Sequence, residues 1–392
     1  MPLPASTPSA PATDATAPNS WLRQWRRRTS ALVLALVGWG ASQPAALALR
    51  FDFVCGTDPS CASLNSNAYA GFQAAANRWS SIFFDPITVK LSIGFESMAP
   101  NILGGTYHTE NFLTYSDFRT ALGLDRQSSN DNQAFASLPS GSTFPLLINR
   151  TANNPAGVGS ATPYVDNDGD VNNFTINIST ANLKAIGVSP DYGTDASALD
   201  GEISFNSLFN WDFNPDNGIS SGSYDFVAVA THEIGHVLGF LSGVDILDYN
   251  SPDGTTYYND DQFYYVNPLD LYRYSAQSLA SGVIDWTADS RAKYFSIDAG
   301  ISSLGGFSTG ATHGDGRQAS HWKDNLGLGL LDPTLASGEI GQISALDRLA
   351  FDVIGYDTLS RVPAPLPLLG GSAALLWSRR LRERRAGGQR PS

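Results

Sequence analysis

The chain has 392 residues, 42% of them hydrophobic and only 16% charged, and carries a formal net charge of −13. This composition suffices for a sizeable buried core and argues against a coiled coil or a long helical array. Residues 1–48 carry a charge of +3 and residues 358–392 one of +6, which leaves −22 on residues 49–357. A region with this much negative charge repels nucleic acid and anionic membranes. The charge therefore excludes nucleic-acid binding and favours an exported, cation-binding protein.

The first 48 residues have the order of a secretory signal. Four arginines between positions 23 and 28 precede an apolar run over 31–39, and a small-residue site ends at Ala48. This order predicts a signal peptide over 1–48, with cleavage after Ala48. An N-terminal membrane anchor is the weaker alternative, because the apolar run is far shorter than the roughly 20 residues of a spanning helix.

Only two cysteines occur, Cys55 and Cys61, near the start of the expected mature chain. In an oxidising compartment, two cysteines six positions apart can close a small disulfide loop. Metal ligation by the pair is the alternative, but no second pair exists to complete a four-ligand site. We therefore predict a structural disulfide between them.

Residues 49–357 contain no internal repeat and no convincing linker, so we expect one domain there. Apolar residues at helical spacing from Phe72 to Trp79 predict a helix over 67–83. Mixed elements separated by long polar loops indicate an α+β protein whose loops carry the functional site. The predicted strands are at 49–54, 87–93, 174–178 and 202–205.

Residues 166–170 form an acidic turn around Gly169. Asp166, Asp168 and Asp170 offer carboxylate oxygens at alternate positions, as calcium-binding loops do. No Glu follows to complete the EF-hand pattern, and a solvated acidic turn is the alternative. These three aspartates are therefore a candidate calcium site.

The segment that follows residue 222 carries most of the functional information. Ser223 is placed to cap a helix with Asp225 in its first turn, and apolar residues recur at helical spacing from Phe226 to Leu238. Gly239 is placed to end this helix. The segment therefore predicts one amphipathic helix.

Within this predicted helix, residues 232–236 read His-Glu-Ile-Gly-His. His232 and His236 stand at i and i+4, so both rings project from one face and can bind one zinc ion. Glu233 lies at the flank of that face, where it can take a proton from a metal-bound water. Zinc lowers the pKa of such a water to about 7, which makes a nucleophile available at neutral pH.

A catalytic zinc site needs a third protein ligand. The carboxylates Asp245 and Asp248 follow the motif closely, and the remaining histidines are His108, His313 and His321. Spacing alone leaves Asp245, Asp248, His313 and His321 open, whereas His108 better fits a structural role.

Two segments near the end of the domain point to a family. Residues 319–324, Ala-Ser-His-Trp-Lys-Asp, and residues 329–333, Gly-Leu-Leu-Asp-Pro, follow the HExxH motif and its glycine. Together they resemble the leishmanolysin-like group of metzincin zinc peptidases. Metzincins usually place the third histidine where this chain has Ser242, and in this group an insertion displaces it. The resemblance implies that His321 completes the zinc site and that Glu233 is the general base.

The resemblance also implies a zincin or metzincin-like fold, in which a twisted mixed sheet and an active-site helix are followed by a loop-rich C-terminal lobe. It covers roughly residues 200–357. Leu331 stands where metzincins have a methionine that forms an apolar floor beneath the metal, and Leu should preserve that packing. A closing helix is expected below the site, and Ser344 with Asp347 gives it a capping-box start.

The last segment, residues 358–392, combines a Pro-rich stretch, an apolar stretch over 366–377 and five arginines between positions 379 and 385. This order resembles the bacterial PEP-CTERM sorting signals, although Ala364 replaces the usual Glu between the prolines. The resemblance implies a transient membrane anchor that a sorting protease removes, in a Gram-negative-type bacterium. A weakly structured basic tail is the alternative.

These features predict an exported or surface zinc endopeptidase. Its protein or peptide substrate would lie extended across the cleft and pair with an edge strand at 202–205. Two alternatives stay open. One is a zinc-containing surface or matrix protein with little turnover, and the other is a zinc amidase that acts on cell-wall peptides.

Overall fold

The structure, a computed structural model, describes residues 49–56, 61, 64–249 and 257–358. The predicted signal segment at 1–48 and the predicted sorting tail, from residue 359 onward, lie outside the described residues. Within the described ranges, no helix is long and apolar enough to cross a membrane.

Helices and short strands are interspersed along the described chain, which confirms the α+β prediction. Single-turn 3-10 helices lie at Pro215–Asn217, Asp260–Gln262 and Pro268–Tyr272. The α-helices are α1 (Ser66–Ser80), α2 (Tyr115–Asp125), α3 (Ser129–Ser137), α4 (Val171–Phe174), α5 (Thr180–Ala185), α6 (Phe226–Leu238), α7 (Val244–Asp248), α8 (Ala276–Ser281) and α9 (Ala345–Asp352). The strands are β1 (Arg50–Val54), β2 (Thr88–Glu96), β3 (Gly104–His108), β4 (Glu110–Thr114), β5 (Leu146–Ile148), β6 (Tyr164–Asp166), β7 (Thr175–Ser179), β8 (Gly201–Asn206), β9 (Trp211–Asp212), β10 (Tyr224–Asp225), β11 (Arg273–Tyr274), β12 (Ile284–Asp285), β13 (Lys293–Phe295) and β14 (Gly305–Phe307).

A four-stranded mixed sheet with the order β1-β2-β8-β3 lies beside α6. β1, β2 and β8 run parallel to one another, and β3 runs antiparallel to β8. The prediction that residues 202–205 form an edge strand is therefore wrong, since β8 is bonded on both sides. β3 occupies that edge instead. The other described strands form sheets of two or three short strands.

The sheet and the helices bury the side chains that their periodicity indicates. In β2, Val89, Leu91 and Ile93 are buried, while Lys90 and Ser92 between them are partly exposed. This alternation is the signature of a strand with one face on the core. The predicted strand at 87–93 is confirmed, and the structure extends it to Glu96.

The predicted helix at 67–83 is confirmed as α1, which packs against α6. The rings of Phe72 and Phe226 meet edge to face, with their centroids 5.0 Å apart. Gly71 has no room for a side chain, because a Cβ there would lie 2.5 Å from the Phe226 ring. The indole Nε1 of Trp79 donates to the carbonyl oxygen of Thr231 at 2.8 Å. α1 is thus fixed to the residue that precedes His232.

The closing helix is also confirmed. Ser344 caps α9, and the N–H groups and side chains of Ser344 and Asp347 form the reciprocal bonds of a capping box. Phe351 of α9 contacts Trp79 with ring centroids 4.8 Å apart. α9 therefore supports the same tryptophan that binds α6. At the start of the domain, Cys55 and Cys61 are joined by a disulfide, as the sequence predicts.

Candidate metal centre

The helix that carries the histidine motif begins at Phe226 and is capped by Asp225, whose Oδ1 accepts the N–H of Ala228 at 2.9 Å. The prediction that Ser223 is the cap is wrong by two residues. Tyr224 and Asp225 form β10 and pair with β9, which keeps the chain extended up to the cap.

The end of α6 helps to orient its second histidine. Gly239 adopts φ +115°, a left-handed conformation that favours glycine, and terminates the helix as predicted. The chain turns back at this point, and the carbonyl oxygen of Phe240 lies 2.8 Å from Nδ1 of His236. The left-handed turn at Gly239 thus brings the Phe240 carbonyl to the His236 ring and orients that ring.

Three histidine rings converge on one point. The Nε2 atom of His236 lies 3.1 Å from that of His232 and 3.2 Å from that of His321. The Nε2 atoms of His321 and His232 are 3.3 Å apart. His236 and His321 are buried, and His232 is partly exposed. Two histidines of the motif helix thus meet a third from a loop 85 residues further along the chain.

The outer nitrogen of each ring faces a backbone carbonyl. Nδ1 of His232 lies 2.8 Å from the oxygen of Leu330, and Nδ1 of His321 lies 3.3 Å from the oxygen of Gln318. Because a carbonyl oxygen can only accept, each Nδ1 must carry the ring proton. In the neutral form of each ring, Nε2 then carries a lone pair, and three such Nε2 atoms cannot hydrogen bond among themselves.

This donor set fits a metal ion. Neutral imidazoles suit zinc and other divalent transition metals, and three nitrogens around a tetrahedral zinc lie about 3.3 Å apart. Burial and the neighbouring His232 lower the pKa of His236 to about 3, and burial lowers that of His321 well below its usual range. Both rings therefore stay neutral at pH 7. Within the described residues, the three histidines are the one group of three or more potential ligand side chains whose atoms lie within 4.8 Å of one another.

Glu233 is buried beside the histidines and is held from the edge strand. The Thr106 hydroxyl donates to Oε2 of Glu233 at 2.7 Å, and a Cβ at Gly104 would lie 3.4 Å from Oε1. Burial raises the pKa of the Glu233 carboxyl, while the nearby His232 lowers it. Sequence reasoning missed Thr106, since no motif marks a residue 127 positions away from its partner.

The other candidates for the third ligand lie outside this group. The Asp245 carboxylate accepts the backbone N–H groups of Ala319 and Ser320. Asp248 accepts those of Thr312 and His313. Both carboxylates of α7 therefore hold the loop that carries His321, and the expectation that one of them could replace it is wrong.

The remaining polar residues near the motif have other partners. Ser242 donates to Asp270 at 2.6 Å, and Nε2 of His108 lies 3.3 Å from Oε2 of Glu110. The His313 side chain is absent from the histidine group of the described residues. His321 is thus the histidine that the fold brings to the motif.

An apolar side chain packs against the motif helix between its two histidines. Leu331 is fully buried, and a Cβ at Gly235 would lie 3.0 Å from its Cδ1 and 3.4 Å from Trp79. Glycine between the two motif histidines therefore lets Leu331 approach the helix. Leu331 thus packs against the motif helix, and its role as a floor beneath the metal stays a prediction.

Asp347 ties this floor to α9. Its buried carboxylate accepts the N–H of Leu330 and the indole N–H of Trp322, each at 2.7 Å. The first bond holds the backbone of Leu330, the residue whose carbonyl oxygen lies 2.8 Å from Nδ1 of His232. The capping-box pattern identifies Asp347 in the sequence, but only as a helix cap.

The acidic turn at 166–170 does not assemble as a three-carboxylate site. Asp166 accepts from the Asn172 amide, Asp168 from the N–H of Asp170, and Asp170 caps α4. Burial raises the pKa of Asp166 to about 6. The three side chains do not form a ligand group among the described residues, so the calcium prediction gains no support from their positions.

The chain matches no protein-family model, no curated protein and no solved structure.

Proposed function

We propose that the protein is an exported zinc endopeptidase of the metzincin type, with His232, His236 and His321 as ligands and Glu233 as general base. The observation that carries the proposal is the convergence of three Nε2 atoms, 3.1 to 3.3 Å apart, beside a buried carboxylate. A purely structural metal site has no use for a carboxylate held at that position. The sequence resemblance to leishmanolysin-like peptidases supports the same assignment.

Zinc, when bound, supplies a Lewis acid that polarises a carbonyl group and makes a water nucleophilic near neutral pH. Glu233 takes a proton at its carboxylate and passes it to the leaving amine of the cleaved peptide. Thr106 positions that carboxylate through its 2.7 Å hydrogen bond. Leu331, which is fully buried, packs against the motif helix at Gly235.

The edge strand β3 is the element that can bind an extended substrate. Backbone bonds at the two ends of the ladder between β3 and β8 fix its phase: the N–H of Asn206 donates to the carbonyl of Leu103, and that of Thr109 to the carbonyl of Asp200. Because bonding alternates along such a ladder, the backbone groups of Gly104, Thr106 and His108 point to the outer edge. No described strand pairs with that edge. We propose that the substrate adds there as a further strand.

This arrangement predicts a pattern in modified substrates. A peptide that the protein cleaves is methylated at one backbone nitrogen at a time, and kcat/KM is measured for each. We expect kcat/KM to fall strongly when the methyl group is at either of two substrate positions that are two residues apart. Methylation at the position between them should have little effect, because only alternate residues of β3 direct their backbone groups to the outer edge. Equal tolerance of methylation at every position outside the cleaved bond would contradict strand addition.

Export rests on the signal-like segment at 1–48 and on the resemblance of residues 358–392 to PEP-CTERM sorting tails. The acidic charge of the domain between them agrees with a location outside the cytoplasm. On this proposal the further partners are the export machinery and a sorting protease, and the mature domain acts at the cell surface or in the medium.

Metal content and substrate range test the proposed function together. The purified protein should hold about one zinc per chain and cleave unfolded proteins. A chelator should abolish cleavage, and zinc should restore it. Bound zinc without cleavage of any protein would favour the matrix-protein alternative. Cleavage of cell-wall peptides but not of proteins would favour the amidase.

A further inference from the structure

Near His321, the loop that carries it is held by two charged side chains from outside it, Asp245 and Arg273. The N–H of Ala319 donates to Oδ1 of Asp245 at 2.5 Å, and the N–H of Ser320 donates to Oδ2 at 3.1 Å. The carbonyl oxygen of Ala319 accepts from Nη1 of Arg273 at 3.3 Å. Both backbone groups of Ala319 are therefore bound to charges, two residues before the ligand.

Arg273 also spans the two ends of this loop. Its Nη2 donates to the carbonyl oxygen of Ser308 at 2.5 Å, and its guanidinium lies over the Phe307 ring at 4.9 Å. The N–H of Ser308 in turn donates to the carbonyl of His321 at 3.0 Å. The planar guanidinium of Arg273 thus binds both ends of the segment 308–321. Arg suits this position better than Lys, because the directions of its N–H donors are fixed.

A cation this deeply buried needs compensating charges. Arg273 is 1% exposed, and its positive charge is stabilised by Asp270, Asp285 and Asp245. Hydrogen bonds with one ionised partner are about twice as strong as neutral ones. The charged hydrogen bonds from Asp245 and Arg273 therefore fix the backbone of this loop more firmly than neutral hydrogen bonds would.

His321 has particular need of such support. Its ring contact to Gln318 is 3.3 Å, against 2.8 Å for the corresponding contacts of His232 and His236. The latter two also stand on one rigid helix, whereas His321 stands in a loop.

We propose that Asp245 and Arg273 are positioning residues that set the third ligand and thereby the metal affinity of the site. The inference rests on the metal centre of the proposed function. It assigns to α7 and β11, which contribute no ligand, control over how tightly the metal is held.

The test compares two neighbouring carboxylates of the same helix. In Asp245→Asn, one side-chain oxygen becomes an NH2 group, which can accept neither N–H and opposes one of them. Zinc affinity, measured by competition with a chromophoric chelator, should fall about 10- to 100-fold, the range seen when a metal ligand loses an outer hydrogen-bond partner. Asp248→Asn is the matched control, since Asp248 binds the same loop at Thr312 and His313. Its zinc affinity should change by less than about threefold.

Thermal unfolding of the metal-free variants separates positioning from general stability. Similar midpoints for the two variants, with affinity lost only in Asp245→Asn, support the proposal. Arg273→Lys gives an independent measurement: one ammonium cannot bridge the carbonyls of Ser308 and Ala319, so we expect about a tenfold loss. Equal affinity losses for Asp245→Asn and Asp248→Asn, or none for Asp245→Asn and Arg273→Lys, would overturn it.

These readouts need no substrate, so the two proposals can fail separately. Tight zinc binding that depends on Asp245, without any peptide cleavage, would overturn the peptidase and leave the positioning role. Peptide cleavage with zinc affinity indifferent to Asp245 and Arg273 would do the reverse. A wild-type protein that binds no zinc would overturn both.

Discussion

His321→Ala is expected to reduce bound zinc from about one per chain to a small fraction of that, and to abolish peptidase activity. The ring supplies one of three converging Nε2 atoms, at 3.2 and 3.3 Å from the other two. Removal of a ligand should cost more than the 10- to 100-fold in metal affinity that loss of an outer partner costs, so we expect a loss above about 100-fold. Metal analysis of purified protein after dialysis gives the stoichiometry, and chelator competition gives the affinity.

His313→Ala is the matched control, because His313 lies in the same loop and outside the histidine group. It should retain both zinc and activity. If His321→Ala keeps its zinc and His313→Ala loses it, the third ligand is not the one that the geometry indicates, and the leishmanolysin-like assignment fails with it.

Local patterns in the sequence predict the local parts of this site well. The helix over 226–238 has strong apolar periodicity, and Gly239 marks its end where a left-handed turn is required. The start is predicted less well, since pairing between β9 and β10 keeps Tyr224 and Asp225 extended. The helix is capped by Asp225 and not by Ser223 because of the pairing between β9 and β10. No local sequence pattern contains that contact between segments.

Local sequence patterns do not identify the third histidine of the group. His321 meets His236 across 85 residues, and only the resemblance selected it over Asp245 and His313. Carboxylates near a metal motif serve equally well as ligands and as acceptors for backbone N–H groups. The position of the loop at 308–321 decides between these roles, and spacing along the chain does not encode that position.

Strand order is equally hidden. β8 and β3 are both short, partly apolar segments, and the edge belongs to β3 because β8 pairs on both sides. The two glycines at 104 and 105 give β3 a weak strand signal, although the first allows the backbone to pass close to Glu233. The hydrogen bond from the Thr106 hydroxyl to Glu233 depends on this strand order.

Glu233→Gln should separate chemistry from metal binding. Gln keeps the size of the side chain and an oxygen that can accept the Thr106 hydroxyl bond, so the three histidines and their zinc should remain. It cannot take a proton from water, and general-base catalysis contributes about 10²- to 10⁴-fold to such reactions. We therefore expect kcat to fall by that factor at unchanged zinc content, measured on an unfolded protein substrate.

Glu202→Gln, on an exposed position of β8, is the matched control and should leave kcat unchanged. A Glu233→Gln variant as active as the wild type would show that Glu233 is not the base, and the peptidase mechanism proposed for this site would have to be abandoned.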